Sequence, residues 1–275
     1  MKRKKCLKLI STDSIGWLGN PRQFIDLYKD YFKNGTFDGV EMIAFKPKGR
    51  LKDFISVFKK NNIPTISFHG KTGGENRLPA KYGIIMTIVN SFIFGIKELD
   101  RNFKDKEFLF HTPYLENEDI KKFIFKNKPK KLWIENHTYG KKGIEETIKL
   151  ISEYRKSGIN AHGMLDLFHL LANTSTSEMI DNWSKTIGDI EGYLGWFSGV
   201  HFPIGTRIDD SLPIDDMTDE MLKLFAKKII PYIERIVFEN QQKNLGLIFS
   251  TKSMLKKQKE RNWTNFSRLK KAGIL

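Results

Sequence analysis

Short runs of β-branched and aromatic residues recur along the whole chain and alternate with longer segments of helical period. Eight such runs can be identified, and their starting positions are spaced about 33 residues apart, which suits one strand, one helix and two loops. The runs are Leu7 to Ser11, Gly39 to Ile43, Thr65 to Phe68, Glu107 to Phe110, Lys131 to Ile134, Gly163 to Leu165, Ser198 to Val200 and Arg235 to Phe238. This alternation predicts parallel strands connected by helices.

The segments between the runs have the pattern of amphipathic helices, with apolar residues three or four positions apart. Examples are Arg22 to Tyr28, Leu51 to Phe58 and Ile144 to Tyr154. Helix stop signals stand just before the next predicted strand. These signals are Asn34-Gly35, Asn61-Asn62 followed by Pro64, and Ser157-Gly158.

Eight βα units in 275 residues match the size of a closed (β/α)8 or TIM barrel, for which roughly 250 residues are typical. The alternative is an open doubly wound sheet, which requires a Gly-rich phosphate loop after an early strand. The segment Ser11 to Gly16 carries no such fingerprint. No linker or composition break is visible, so residues 1–275 are predicted to form one α/β domain, with 251–275 as a basic C-terminal helix and extension.

Composition excludes several other classes of protein. Hydrophobic residues make up 40% of the chain, which is enough for a large core and argues against disorder. The most apolar segment, Tyr82 to Ile96, is too short to cross a bilayer and is predicted to be a buried helix, so no membrane association is expected. The basic start, Met1 to Lys5, is not followed by an unbroken apolar stretch, and the single cysteine, Cys6, fits a reducing cytoplasmic setting.

The chain is strongly basic, with 47 Lys and Arg against 32 Asp and Glu and a formal net charge of +15. Such a charge attracts phosphate-bearing partners such as nucleic acid or sugar phosphates. Much of the excess is lysine spread along predicted helices, for which a solvated surface is the simpler explanation. The charge alone therefore does not decide the partner.

Six of the eight predicted strands end in a residue type that binds metals. These residues are His69, His111, Glu135, Asp166, His201 and Glu239. In a barrel the C-terminal ends of the strands face one shared mouth, so residues far apart in sequence meet there. Several unpaired carboxylates in one mouth would cost several kcal/mol each, and a divalent cation removes that cost. Mixed imidazole and carboxylate ligands suit zinc, manganese, iron or cobalt.

Histidines are concentrated at these positions. The chain has six, and His169, three residues after Asp166, joins the three at strand ends. A single histidine at a strand end is more often structural than a ligand, but four in equivalent positions favour metal or substrate binding. His137 is interpreted as a neighbour that supports Glu135, and His162, at the opposite end of its strand, as structural.

These residues together resemble the xylose isomerase-like TIM barrel superfamily over nearly the whole chain. Its metal ligands, Glu, Asp, His and Glu on four successive strands, are matched by Glu135, Asp166, His201 and Glu239. Three further segments match the superfamily, and the first two are most similar to its sugar isomerase and epimerase branch. They are Phe37-Asp38-Gly39-Val40-Glu41, Ile134-Glu135-Asn136-His137 and Asp166-Leu167-Phe168-His169.

The resemblance implies a divalent-metal-dependent isomerase or epimerase of a sugar or sugar phosphate. Glu135 and Glu239 would be the catalytic pair that exchanges protons with the carbon beside a metal-polarised carbonyl. His169 and Arg207 would contact the substrate, although a solvated loop arginine is an equally good interpretation of Arg207. Glu41 remains open between a structural and a catalytic role.

The same residues also resemble the endonuclease IV family, which uses three metals to hydrolyse phosphodiesters beside abasic sites in DNA. Under this alternative, His69, His111, His169 and Asp209 would form a second metal site, and the basic C-terminal residues would follow the DNA backbone. Ser211 stands where this family has a loop histidine, so one ligand of its third metal is missing.

A third alternative is a barrel that binds a sugar or nucleic acid without chemistry, and the intact set of four ligands argues against it. No helix-turn-helix, zinc finger or aromatic nucleic-acid platform is recognised, and Phe202 and Trp263 are predicted to be packing residues. The isomerase or epimerase interpretation leads narrowly, because all four of its ligands are present.

Overall fold

The computed structural model describes residues 6–12, 20–43, 50–70, 105–171, 176–202, 217–239 and 252–275. Within them, eight parallel strands close into a barrel in chain order, and β1 pairs with both β2 and β8. The strands are β1 Leu7–Ser11, β2 Gly39–Ile43, β3 Thr65–Gly70, β4 Glu107–His111, β5 Lys131–Glu135, β6 Ala161–Asp166, β7 Phe197–Phe202 and β8 Arg235–Phe238. The predicted (β/α)8 barrel is confirmed.

Helices surround the barrel. The α-helices of the described residues are α1 Pro21–Lys33, α2 Arg50–Lys60, α3 Glu118–Asn127, α4 Gly140–Lys156, α5 Leu167–Leu171, α6 Thr176–Ile190, α7 Asp219–Lys228 and α8 Lys252–Lys271. Short 3-10 helices cover Thr112–Glu116, Glu191–Trp196 and Ile230–Tyr232. Among the helices in the described ranges, none combines the length and the apolar character that a bilayer crossing requires.

Helix ends follow the local signals in the sequence. α1 begins with a capping box, in which the backbone N–H of Asn20 donates to Gln23 Oε1 at 3.0 Å and the Asn20 side chain accepts from the first turn. α1, α2 and α4 all end at the predicted stop signals. Gly35 and Gly158 have φ angles of 72° and 77°, a left-handed conformation that favours glycine directly after a helix.

Side-chain alternation along the strands separates two apolar layers. Outward-facing residues such as Phe110, Ile134 and Phe238 pack against the helices in the large core. The inward-facing apolar side chains form a small separate cluster inside the barrel, made of Leu9, Leu109, Trp133, Met164 and Val237. We call this cluster the barrel plug. A Cβ on Gly199 would lie 2.7 Å from Met164 Sδ, so this glycine makes room for the plug.

The N-terminal end of the barrel, below the plug, is filled by a buried ion pair. Arg235 Nη2 contacts Glu107 Oε2, and the same oxygen accepts a 2.9 Å hydrogen bond from Trp133 Nε1. The guanidinium of Arg235 also lies 4.4 Å from the centre of the Trp133 ring. These contacts stabilise the fold. The polar residues of the candidate site lie at the opposite, C-terminal end of the barrel.

The observed strands β3 to β7 are longer than predicted, because the metal-binding residue types belong to the strands instead of following them. His111 pairs in register with Glu135, and Asp166 pairs with His201. Their backbones continue the sheet while their side chains point inward. Glu239 is the exception and directly follows β8. The segments Met1 to Lys5 and Tyr82 to Ile96 lie outside the described residues.

Candidate functional site

One layer of polar side chains lies directly above the barrel plug. Because strand side chains alternate with a period of two, a residue two positions after a plug residue also faces inward, one layer higher. This relation places His111 after Leu109, Glu135 after Trp133, Asp166 after Met164 and Glu239 after Val237, and His201 stands in the same relation to Gly199. All five are buried. The layer is therefore a direct product of the strand pattern.

Of the four residues predicted to share one metal, three place a carboxylate oxygen within 4 Å of an atom of the fourth, His201 Nδ1. Glu239 Oε2 lies 2.9 Å from it, Glu135 Oε1 lies 3.2 Å from it, and Asp166 Oδ2 lies 3.8 Å from it. Ligand atoms that share one ion at about 2.1 Å are separated by about 3.0 to 3.4 Å when adjacent and by up to about 4.2 Å when opposite. The distances from His201 Nδ1 to Glu135 and Asp166 fall within that range, and the distance to Glu239 is slightly shorter. All three are measured from His201. The groups of ligand-type atoms that lie within 4.8 Å of one another divide the four residues, with His201 and Glu239 beside Glu41 and His69, and Glu135 and Asp166 beside His169.

A second group of three ligand atoms adjoins the first. His69 Nε2, His111 Nε2 and Glu135 Oε2 are separated by 3.2 to 3.3 Å in all three pairs. Such a triangle has the dimensions of one face of a tetrahedral site with metal–ligand bonds of about 2.0 Å. Glu135 contributes one oxygen to each group, so its carboxylate belongs to both.

Glu41 is a buried site residue whose position the sequence did not reveal. It lies at 0% exposure in the middle of β2, where its Oε1 is 3.0 Å from His201 Nε2 and 3.5 Å from His69 Nδ1. Its other oxygen accepts a 3.0 Å hydrogen bond from Ser67 Oγ. Two signals in the sequence pointed to this residue: an acidic side chain inside an otherwise apolar run, Gly39-Val40-Glu41-Met42-Ile43, and its place at the end of the family-like segment Phe37 to Glu41.

Asn136 ties the ends of two ligand-bearing strands together. Its Oδ1 accepts a 2.7 Å hydrogen bond from the backbone N–H of Asp166, and its Nδ2 donates to the Asp166 carbonyl oxygen at 3.0 Å. Asn136 directly follows Glu135, so this pair of bonds fixes the separation of the two carboxylates. The residue is fully buried.

A cluster of three imidazoles lies beside the site. His111, His137 and His169 each have a ring nitrogen within 4.8 Å of the others, and His169 also reaches Glu135 and Asp166 in the same way. The rings of His111 and His137 are stacked at 5.0 Å with an interplanar angle of 19°. Parallel rings direct their lone pairs side by side, so this arrangement favours stacking over binding of one shared ion.

The charged groups of the site shift one another's pKa values. Burial alone would raise the pKa of Glu41, but His201 and His69 outweigh it and lower that pKa to about 2. Burial alone would lower the pKa of His201, but the carboxylates of Glu135, Glu41 and Glu239 keep it well above its usual range. The pKa of Glu135 is well below its usual range, because His111 and His201 outweigh burial.

His111 and Asp166 are shifted towards their neutral forms. Burial lowers the pKa of His111 to about 3, so its ring carries the free lone pair that a metal ligand needs. Burial also raises the pKa of Asp166, although His169 and His201 oppose this effect. A cation bound in this carboxylate-rich cavity would displace the proton that the raised pKa favours on Asp166.

The residues present fit a borderline divalent ion. Carboxylate oxygens and imidazole nitrogens are mixed, which suits zinc, manganese, iron or cobalt. Buried ligand-type atoms without a hydrogen-bond partner within the described residues include His111 Nδ1 and Glu135 Oε2, and His69 Nδ1 has only a long contact of 3.5 Å to Glu41 Oε1. A buried carboxylate oxygen without a partner costs free energy that a bound cation would offset.

The remaining predicted site residues fall into two sets. His162 lies at the N-terminal end of the barrel, where its ring nitrogens contact Ser198 Oγ at 3.1 Å and Asn160 Oδ1 at 2.9 Å, away from the site. Arg207, Asp209 and Ser211 lie outside the described residues. The predictions for substrate contact by Arg207 and metal binding by Asp209 therefore stay predictions.

Comparison with known proteins establishes the fold. No family model matches the chain, and no curated protein matches it in sequence. Its structure is similar to 3-keto-D-glucoside 4-epimerase YcjR from E. coli, with a TM-score of 0.54 and 10% identity over 96% of this chain and 100% of that one. It is equally similar to D-allulose 3-epimerase from Methylomonas sp., solved with D-allulose, with a TM-score of 0.54 and 10% identity over 98% of each chain.

A third similar structure is a D-tagatose 3-epimerase-like protein, with a TM-score of 0.51 and 14% identity over 98% of this chain and 100% of that one. At such low identities these similarities define the architecture and leave the reaction open. The architecture shared with these structures is the closed (β/α)8 barrel that the sequence predicted.

Proposed function

We propose that the protein is a divalent-metal-dependent isomerase or epimerase of a sugar or sugar phosphate. The observation that carries this proposal is the position of two carboxylates, Glu135 on β5 and Glu239 after β8, which both contact His201 Nδ1, at 3.2 Å and 2.9 Å. Two carboxylates at one centre provide a base for one side of a substrate carbon and an acid for the other. The similarity to solved sugar epimerases supports the same reaction class.

The proposed metal ligands are Glu135, Asp166, His201 and Glu239. A divalent cation held there would polarise the substrate carbonyl and so acidify the neighbouring C–H bond. Asn136 keeps the ends of β5 and β6 at a fixed distance through its two hydrogen bonds to Asp166. The barrel plug closes the floor beneath this layer, so the substrate must approach from the C-terminal end.

Proton transfer is assigned to Glu135 and Glu239. Glu135, whose Oε1 lies 3.2 Å from His201 Nδ1, is proposed to accept the proton from the substrate carbon. Glu239, directly after β8, is the partner that returns a proton to the substrate. His169 is partly exposed beside Asp166 and Glu135, which suits contact with a substrate hydroxyl. Arg207 is proposed as a second substrate contact.

A small carbohydrate is the proposed substrate. One structurally similar epimerase has been solved with D-allulose, which supports a ketose as the first class to test. The net charge of +15 makes phosphorylated sugars a second class. A single cysteine supports a reducing cytoplasmic location.

One observation favours a second candidate, a metal-dependent phosphodiester hydrolase acting on abasic-site DNA. The triangle of His69, His111 and Glu135 resembles an additional metal site, which a sugar epimerase with one ion does not need. In this alternative, His169 and Asp209 are further ligands and the basic surface attracts the DNA backbone. Ser211 at the position of a ligand histidine weakens it.

Deuterium exchange separates the two candidates. The full-length protein, loaded with Mn²⁺, Co²⁺, Zn²⁺ or Fe²⁺ or stripped by a chelator, is incubated in D₂O with ketoses and ketose phosphates. We expect deuterium at the carbon beside the carbonyl only with loaded protein. The Glu145→Gln variant, altered at an exposed carboxylate on α4, should exchange at the wild-type rate. A loaded protein that exchanges no sugar proton but nicks an abasic-site duplex would establish the hydrolase instead.

A further inference from the structure

His201 and His69 each use both edges of their rings. The Nδ1 edge of His201 faces Glu135, Asp166 and Glu239, whereas its Nε2 edge faces Glu41 Oε1 at 3.0 Å. His69 is arranged in the opposite sense. Its Nε2 faces His111 and Glu135 at 3.3 Å each, and its Nδ1 faces Glu41 at 3.5 Å.

Glu41 therefore lies behind both histidines. The two nitrogens of an imidazole point to different edges of the ring, so an ion bound at His201 Nδ1 cannot also be bound by the carboxylate at Nε2. The same reasoning separates Glu41 from an ion at His69 Nε2. This placement keeps Glu41 apart from ions at those two nitrogens. Glu41 also forms a group of mutually close ligand-type atoms with His69, His201 and Glu239, but its own contacts there are to the other nitrogen of each ring, His201 Nε2 and His69 Nδ1.

The carboxylate of Glu41 is itself held in place. β2 and β3 pair so that Glu41 stands in register with Ser67, and Ser67 Oγ donates to Glu41 Oε2 at 3.0 Å. Both side chains are at 0% exposure. One oxygen is thus occupied by the serine, and the other remains to accept from the two histidines.

We infer that Glu41 is a positioning residue that accepts the Nε2–H of His201 and the Nδ1–H of His69. This inference rests on the proposed metal centre. By holding a proton on the far nitrogen of each ring, Glu41 leaves His201 Nδ1 and His69 Nε2 as lone-pair donors towards the centre. It also fixes the orientation of both rings and raises their basicity as ligands. One carboxylate thereby prepares ligands for both groups of converging atoms.

The test measures Zn²⁺ affinity of the full-length protein by competition with a chelator. Removal of such a supporting carboxylate typically weakens metal binding by about 10- to 100-fold. We expect a loss of that size for Glu41→Gln, which keeps the shape of the side chain, and a smaller loss for Ser67→Ala. The matched control is Glu234→Gln, a partly buried carboxylate that contacts Lys131 at the other end of the barrel, and it should bind Zn²⁺ like the wild type.

Two spectroscopic readouts separate positioning from simple packing. The ¹⁵N spectrum of Zn²⁺-loaded wild type should show His201 with its proton on Nε2 and His69 with its proton on Nδ1, and Glu41→Gln should disturb both. The visible spectrum of the Co²⁺ form should change in Glu41→Gln and not in Glu234→Gln. A folded Glu41→Gln variant with wild-type Zn²⁺ affinity and unchanged spectra would overturn the inference.

Failure of the positioning role of Glu41 can be distinguished from failure of the proposed function. If the wild type binds Zn²⁺ but exchanges no sugar proton, the epimerase assignment fails while the affinity comparison still decides the role of Glu41. If the wild type exchanges sugar protons and Glu41→Gln binds Zn²⁺ equally well, the epimerase assignment stands and the positioning role fails. If the wild type binds none of Zn²⁺, Mn²⁺, Co²⁺ and Fe²⁺, both fail.

Discussion

Glu135 is the side chain on which both groups of ligand atoms depend. One of its oxygens lies 3.2 Å from His201 Nδ1 and the other lies 3.2 Å from His111 Nε2. Glu239 touches only the first group closely, through Oε2 at 2.9 Å from His201 Nδ1. Substitutions at these two positions therefore have different consequences for metal binding and for turnover.

Glu239→Gln should nearly abolish turnover. The amide loses a charged ligand and cannot accept a proton, and general acid–base groups contribute about 10²- to 10⁴-fold to a rate. We expect the rate of deuterium exchange to fall by at least about 10²-fold, with the far-UV circular dichroism spectrum unchanged. The same loss is expected if the reaction is phosphodiester hydrolysis. Full activity in this variant would contradict both candidates.

His162 provides a pH test away from the metal ligands. Burial, followed by the charges of Lys131 and Arg155, lowers its pKa from 6.5 to about 4. Between these values the unfolded chain binds a proton at His162 and the folded protein does not, so this residue makes stability fall as the pH drops from 6.5 to 4.

We expect His162→Gln, which keeps polar atoms near Ser198 and Asn160, to remove that contribution. Relative to the wild type, the variant should gain on the order of 1 kcal/mol of unfolding free energy between neutral pH and pH 4, since solvent partly screens this ring. Urea unfolding at the two pH values measures the difference. Parallel stability curves for the two proteins would show that His162 does not carry this shift.

At the scale of the strands, the register between β6 and β7 decides which ligand-type residues stand opposite each other. The pairing of β6 with β7 shifts between Gly163 and Met164, and beyond that shift Asp166 stands opposite His201. A Cβ on Gly163 would lie 2.8 Å from the Trp196 carbonyl oxygen and 2.7 Å from a ring carbon of Phe197. The absence of a side chain at Gly163 therefore allows the close approach of these two strands.

Gly163→Ala should destabilise the protein by about 1 to 3 kcal/mol, because the backbone and the Phe197 ring must move to admit the methyl group. Gly192→Ala is the matched control, since nothing lies within 4 Å of the added atom. Thermal unfolding of the three proteins under the same conditions makes the comparison. Equal melting temperatures for Gly163→Ala and Gly192→Ala would mean that β6 and β7 separate without strain.

Strand positions could be predicted because each depends on a local run of apolar residues, and β1, β2 and β8 have the predicted ends. Glu41 could not be placed, because both faces of β2 are apolar apart from this residue and the sequence does not reveal which face points inward. The contact between His137 and His169 depends on the chain after β5 and β6, where no periodicity sets the conformation.

Across the whole molecule, ligand residues from four strands are held by one fold, so metal binding and stability should be coupled. Anything that binds the folded state alone stabilises it by mass action. We expect the melting temperature to fall when a chelator removes metal and to rise with increasing Zn²⁺ concentration. The rise should be much smaller for Glu239→Gln. A melting temperature that changes with neither chelator nor Zn²⁺ would show that metal binding does not stabilise the barrel.

Anomalous diffraction from crystals of the metal-loaded, full-length protein tests the central claim most directly. We predict a peak at the metal absorption edge about 2.0 to 2.3 Å from His201 Nδ1 and from carboxylate oxygens of Glu135, Asp166 and Glu239. A loaded, well-ordered barrel with no peak among these four side chains would contradict the proposed metal centre and the reaction built on it.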